Sequence, residues 1–284
     1  AVSTDDRTTW SVIKDADGVR PIVRDNAGTW EYNSSVSLVD NWDISAASFA
    51  QSFSVINQEN SPRSVFFKPD GTKMYIVGTN IDVVVEYDLS TAWDVSTASF
   101  LQNFSLVGNP LASPLSVGIF FKSDGTKMYI EDFGDRAVYE YNISTAWDVS
   151  TASYVQNFSV SAQEGSPQGL FFKPDGTKMY ILGSTGDEVN EYNLSTAWDI
   201  STASYNQNFS VSAQETNPNG IFFKPDGTKM YVIGSDGDNV NEYNLSTAWD
   251  ISTASYVQNF SVATQDTAPQ SVFFKPDGTK MYIV

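Results

Sequence analysis

At residues 170–182 the chain runs apolar, turns, and runs apolar again. Leu170, Phe171 and Phe172 precede Lys173, Pro174, Asp175 and Gly176, and Met179, Tyr180, Ile181 and Leu182 follow. Proline presets φ for the first corner of a turn and Asp-Gly supplies a residue that tolerates positive φ, so the two runs read as a β-hairpin. Residues 183–187 have the composition of a loop. Residues 188–194 alternate polar positions with Val189 and Tyr192, the period of a third strand. A longer connection, Ser-Thr-Ala-Trp-Asp at 195–199 and on to Ser204, leads to a fourth strand at 205–211. Helix periodicity nowhere exceeds a turn.

Segment 166–211 returns with few changes at 217–262, and its landmarks recur along most of the chain. Asp-Gly places glycine at 71, 125, 176, 227 and 278, in steps of 54, 51, 51 and 51 residues. Trp-Asp recurs with tryptophan at 42, 93, 147, 198 and 249. A fixed period of this size marks a repeat architecture. Four antiparallel strands per repeat predict an all-β fold, a β-propeller of four-stranded blades with about 51 residues each. A solenoid is the competing architecture, but its coils are usually shorter and seldom contain three consecutive reversals. One blade has two apolar faces and buries both only between two neighbours.

Taken in order, 1–29 reads as a lead-in or hairpin and 30–284 as the propeller. Asp17-Gly18 stands where a blade has its hairpin turn, so residues 10–33 also align loosely with three blade strands. Full repeats occupy 62–106, 114–160, 167–211 and 218–262. The second is preceded by three extra residues near Gly108, Asn109 and Pro110. It also carries Ser123 in place of proline, and Glu131, Asp132 and Phe133 where other repeats have an apolar residue, glycine and a small hydroxyl residue. The chain stops two strands into a further repeat, and 30–55 carries the end of one. The expectation is five blades, the fifth closed by pairing N- and C-terminal strands from 30–55 and 268–284. A piece of a longer array is the other reading.

Composition narrows the chemistry. Lys plus Arg number 16 against 34 Asp plus Glu, a net charge of −18. Such a surface repels phosphates, which argues against nucleic acid and anionic lipid as partners. There is no cysteine and no histidine. That removes disulfides, thiolate metal sites and the most usual general base. No apolar run approaches the roughly 18 residues of a membrane span. An aromatic content of 14 % suits packing between flat sheet faces.

Two constellations stand out. One face of the predicted disc gathers acidic loops: Glu59, Glu164, Glu215 and Asp266 from the inter-blade connections, and Asp82, Asp135, Asp187, Glu188, Asp236 and Asp238 from the loops between second and third strands. Most are expected to be solvated loop charge. Asp187, Glu188, Asp236 and Asp238 are the candidates for Ca2+, a hard cation that takes several oxygens, and no other cofactor is expected. The second constellation is the Trp-Asp pair, with Trp42, Trp93, Trp147, Trp198 and Trp249 beside Asp94, Asp148, Asp199 and Asp250. An indole face can stack on a sugar while the carboxylate takes its hydroxyls. The plainer reading has the tryptophan filling a gap between blades and the aspartate capping a turn. Tyr87, Tyr141, Tyr192 and Tyr243 read as interior packing. Asn-x-Ser sequons begin at Asn33, Asn103, Asn142, Asn157, Asn193, Asn208, Asn244 and Asn259. They would accept glycans in a eukaryotic secreted protein, but they are copies of two repeated segments.

Phe-Phe-Lys-Pro-Asp-Gly-Thr-Lys-Met-Tyr resembles the turn segment of YVTN and NHL-like β-propeller repeats from bacterial and archaeal surface proteins, over residues 62–284. The long Ser-Thr-Ala-Trp-Asp connection departs from that pattern. The tandem form looks like repeat proteins of marine bacteria and their phages, and residues 10–33 look like modules in structural proteins of marine tailed phages. The resemblance implies a fold and brings no catalytic residues. The expectation is therefore a non-enzymatic, extracellular structural or adhesive protein of a virion appendage, tail fibre or surface filament. Its partners would be other subunits or itself, and cell-surface glycans. A lectin with repeated equivalent sites is the alternative. A hydrolase or lyase is disfavoured by the missing histidine and the near-identical repeats.

Overall fold

A computed structural model describes residues 10–15, 18–24, 30–32, 41–111 and 114–284, which divide into two compact units, 1–48 and 49–284. In the first unit β1 (Trp10–Asp15), β2 (Gly18–Arg24) and β3 (Trp30–Tyr32) form an antiparallel sheet in that order. The Asp17 turn, the Asn33 sequon and the 33–40 part of the expected closing blade lie outside the described residues.

The second unit holds four sheets of four antiparallel strands in sequence order. They are β4 (Pro62–Phe67), β5 (Lys73–Gly78), β6 (Val83–Leu89) and β7 (Ala98–Ser105); β8 (Ser116–Phe121), β9 (Lys127–Asp132), β10 (Ala137–Ile143) and β11 (Ala152–Ser159); β12 (Pro167–Phe172), β13 (Lys178–Gly183), β14 (Glu188–Leu194) and β15 (Ala203–Ser210); and β16 (Pro218–Phe223), β17 (Lys229–Gly234), β18 (Asn239–Leu245) and β19 (Ala254–Ser261). A hairpin of β20 (Val272–Phe274) and β21 (Met281–Ile283) follows. The fold is thus an all-β propeller of four-stranded antiparallel blades. Complete blades number four, against an expected five, because β20 and β21 pair only with each other among the described residues.

Five inner strands nevertheless surround one axis. Phe66, Phe120, Phe171, Phe222 and Phe273 touch edge-to-face in a closed circuit, each pair with centroids 5.2–5.3 Å apart and planes at 67–72°. Edge-to-face contact sets the positive ring edge on the negative face of its neighbour. One residue further on, Tyr75, Tyr129, Tyr180, Tyr231 and Tyr282 each pack on the next strand's Phe121, Phe172, Phe223, Phe274 and Phe67, at 4.3–4.5 Å.

Each blade then grips its neighbour through tryptophan. Trp198 has φ +65 and its amide donates to the Gly176 carbonyl at 3.0 Å. Its indole lies flat on Gly176, where a Cβ would come within 2.4 Å of the ring. Gly176 itself has φ +75, so the Asp-Gly turn requires glycine for both reasons. The Tyr129 hydroxyl of the preceding blade donates to the Trp198 carbonyl at 2.7 Å. Tyr75 reaches Trp147, Tyr180 reaches Trp249 and Tyr282 reaches Trp93 in the same way, at 2.7–2.8 Å. Trp198→Ala should therefore cost about 3–5 kcal/mol in urea denaturation, and Gly176→Ala should be comparably destabilising because strain and overlap add. A loss below about 1 kcal/mol in both would contradict this packing.

Candidate functional site

The Trp-Asp residues sit between blades. Trp93, Trp147, Trp198 and Trp249 are buried, as is Trp42 in the first unit. The indoles of the four blades are stacked on phenylalanine, as Trp198 is on Phe172, besides their glycine contact. Those faces are filled by protein, which leaves none of them open to a sugar. Asp94, Asp148, Asp199 and Asp250 cap short 3-10 turns, each accepting from the amide of the serine two residues on. A glutamine from the preceding outer strand also donates to each aspartate: Gln102 to Asp148, Gln156 to Asp199 and Gln207 to Asp250, at 2.7–2.9 Å. Gln51 donates to Asp94 at 2.9 Å. Tyr87, Tyr141, Tyr192 and Tyr243 are fully buried.

The acidic loops divide into two groups. Glu59, Glu164 and Glu215 are at most 1 % exposed, which corrects their reading as solvated charge. The reason is backbone satisfaction: Glu164 Oε1 accepts from the amides of Ser166 at 2.7 Å and Thr185 at 3.2 Å, tying the connection to the next loop. The Ca2+ candidates lie on separate loops. Glu188 accepts from Asn208, Asp236 from Thr216, and Asp187 and Asp238 take positive φ of 49 and 48. Among the described residues no three acidic side chains gather as cation ligands.

These loops mark the face on which the repeats differ. The face of the Lys-Pro-Asp-Gly turns and Trp-Asp connections is nearly uniform, whereas the opposite face varies from copy to copy. On the variable face the inner strands begin, joined to the loops between second and third strands by bonds such as Ser184 N–H to Ser166 O at 3.1 Å. Equivalent positions there carry Arg63, Val117, Gln168, Asn219 and Gln270. A cavity of ≈ 140 Å³ lies on the axis between the five inner strands, with Gln168, Asn219, Ser64 and Ser271 in its wall. Arg63 donates to Gln270 Oε1, and its Nε is buried without a partner among the described residues. Asn219 donates to the Pro269 carbonyl at 2.9 Å. Gln168 is half-buried and makes no hydrogen bond among the described residues. Sequence reasoning missed this mouth, although the most variable position of the inner strand, which carries Arg, Val, Gln, Asn and Gln in turn, was a usable signal.

No family model matches the chain, and no curated protein matches it. Similar solved structures include a periplasmic gluconolactonase from Pseudomonas aeruginosa, 14 % identical, TM-score 0.49, covering 100 % of this chain and 71 % of that one. A candidate 6-phosphogluconolactonase from Bacteroides fragilis is 14 % identical, TM-score 0.49, with 100 % and 86 % covered. Another from Bacteroides uniformis is 13 % identical, TM-score 0.47, with 94 % and 71 % covered. The expectation of a non-enzymatic structural or adhesive virion protein is corrected here, since these neighbours carry enzyme names. At such identities they do not assign their reaction to this chain. No helix of the described residues is long and apolar enough to cross a membrane.

The turn face has an acid limit. Burial opposes ionisation of Asp70, Asp124 and Asp277, but the neighbouring lysine and threonine donors outweigh it and hold each carboxyl at about 2. A carboxyl lowered in the folded state stabilises above its ordinary value and loses that contribution as pH falls through the folded one. Replacing all three by asparagine should therefore shrink the fall in Tm between pH 3.8 and about 2. An acid limb of unchanged depth would show that these turns do not set it.

Proposed function

We propose that this chain binds one small, oxygen-rich molecule at the axial mouth of the variable face, with Arg63 meeting a carboxylate or a lactone carbonyl and Gln168, Asn219 and Gln270 meeting hydroxyls. The observation that carries the reading is the divergence at the start of otherwise repeated inner strands, widest at Arg63, Val117, Gln168, Asn219 and Gln270, which turns five equivalent places into one asymmetric set. Arginine suits the role because its planar fork takes carboxylate oxygens in pairs. The cavity is smaller than the roughly 300–1,000 Å³ that drug-sized ligands occupy, so a small molecule or one end of a larger one is the fitting guest. A guanidinium on a carbonyl also polarises it, so lactone opening is the reaction to assay.

Gluconate and glucono-δ-lactone, taken from the names of the similar structures, are the first probes. Calorimetric titration should show one site per chain, and Arg63→Ala should weaken it by at least tenfold without moving Tm by more than a few degrees. Binding unchanged in Arg63→Ala, or several equal sites per chain, would refute the axial reading. Acid release from the lactone, compared between the native chain and Arg63→Ala, tests the reaction.

We also propose that the ring has five blades, with the fifth built from β20, β21 and strands drawn from 30–55. Support comes from residues 51–53. Gln51 meets Asp94 as Gln102 meets Asp148, and Phe53 meets Tyr87 edge-to-face at 5.6 Å as Phe104 meets Tyr141 at 5.8 Å. These residues stand to the first blade as an outer strand stands to its neighbour. Deleting 268–284 should remove the cooperative melt or drive oligomerisation; a monomer with unchanged Tm would overturn five-bladed closure.

A further inference from the structure

The second blade departs from its neighbours at two adjacent residues, and only one departure is explained by its own blade. Asp132 stands where the other blades have Gly78, Gly183 and Gly234. Its carboxylate accepts from the amides of Leu115 at 2.6 Å and Asp135 at 2.8 Å, the task that Glu164 performs from the connection before the third blade. Glu131 stands where the other blades have Val77, Leu182 and Ile233, and it is fully buried. Both its oxygens lack a partner among the described residues.

The strand faces show what Glu131 looks at. Tyr129, on the same side of β9, donates to Trp198 of the third blade, so this side is turned to that blade. Gly118 is the cross-strand partner of Glu131, and a Cβ there would lie 2.9 Å from Glu131 Oε2 and 3.1 Å from Cβ of Leu170. Leu170 pairs with Ile181, and Ile181 with Asn190. Asn190 therefore lies on the facing side of the third blade; it is fully buried, and neither atom of its amide has a partner among the described residues. Glu164 covers Gly183, two residues on from Ile181 on that same side, and its Oε2 is likewise unpartnered. No lysine or arginine pairs with either glutamate among the described residues. Burial, and then the charge of Glu164, pushes the Glu131 carboxyl well above the usual carboxylate range.

From this convergence we infer that Glu131, Glu164 and Asn190 form a buried site for one hard cation of the Ca2+ class between the second and third blades. A buried carboxyl with neither oxygen partnered, beside a second carboxylate whose Oε2 is free and that has no ion partner among the described residues, calls for a counter-charge. The donors are all oxygen, and Glu131 has both of its own to offer. Glu164 adds its second oxygen and Asn190 its carbonyl, with water completing the 6–8 ligands that Ca2+ takes at flexible geometry. Sulfur and imidazole are absent, which disfavours the softer transition metals. The same place between the third and fourth blades has Leu182 opposite Asn241 and Glu215, so the dyad occurs at one interface rather than at each.

The test uses the whole chain, dialysed against chelator and then titrated with CaCl2. Tm should rise by roughly 5–10 °C at a hundredfold excess over Kd, and Tb3+ should give emission sensitised by the surrounding aromatics that Ca2+ displaces. Glu131→Leu, which copies Leu182, should remove both responses. In chelator it should melt above the native chain, since it deletes an uncompensated carboxyl. Asn190→Val, which copies Val85, should weaken Ca2+ by at least tenfold and serves if the first variant fails to fold. An unmoved Tm in the native chain, or a Ca2+ response retained in both variants, would overturn the site. So would a stability that falls with rising pH and ignores Ca2+, because a proton would then be the counter-charge.

Discussion

Closure of the phenylalanine circuit constrains everything else in the ring. Each inner strand contributes one phenyl group whose edge meets the face of the next, at spacings that vary by no more than 0.1 Å between 5.2 and 5.3 Å. Equal steps of this kind fix an equal rotation between strands, and a fixed rotation closes after a fixed number of strands. The hairpin residue Phe273 touches both Phe66 and Phe222, so the phenyl circuit itself closes without a gap. The tyrosine and tryptophan contacts further out follow, because the same rotation brings each Tyr hydroxyl to the next Trp carbonyl. A 51-residue unit can therefore be copied almost verbatim, since each copy meets its neighbour through one shared set of contacts.

That copying divides the disc by face. The turn face holds the φ > 0 glycines, the indoles laid on them and the aspartate caps, and any change there disturbs a blade and its neighbour together. The opposite face is tied by backbone groups and by carboxylates that accept from them, so its side chains are freer to differ. Arg63, Val117, Gln168, Asn219 and Gln270 differ where the backbone around them does not. Function in such an array belongs where symmetry is broken without breaking the ring, and the axial mouth meets that condition.

Much of this was legible in the sequence because it is local. The turn signal at 173–176 and the alternation at 188–194 place strands that run Pro167–Phe172, Lys178–Gly183, Glu188–Leu194 and Ala203–Ser210. What stayed hidden depends on neighbours. Glu59, Glu164 and Glu215 read as surface charge because loop composition does not reveal that their oxygens accept from amides of their own connection and of the next loop. The axial mouth is assembled from positions about 51 residues apart, none of which is remarkable alone. The acidic loops drew attention to Asp187 and Asp236, yet the carboxylates of the proposed cation site sit on a strand and a connection.

Glu131 and Asp132 show how compensation separates structural change from chemical change. The second blade lacks a glutamate in its incoming connection that corresponds to Glu164 in use, and Asp132 replaces that acceptor from the glycine position of the strand. The exchange leaves the backbone satisfied, so Asp132 is explained within its own blade. Glu131 satisfies no backbone group, and its place in the other blades is filled by valine, leucine or isoleucine, which would pack against the third blade at no electrostatic cost. A carboxyl kept there opposite Glu164 is disfavoured by burial and by like charge together. An apolar core does not need such a residue, and a ring that tolerates it must meet the charge with something that binds.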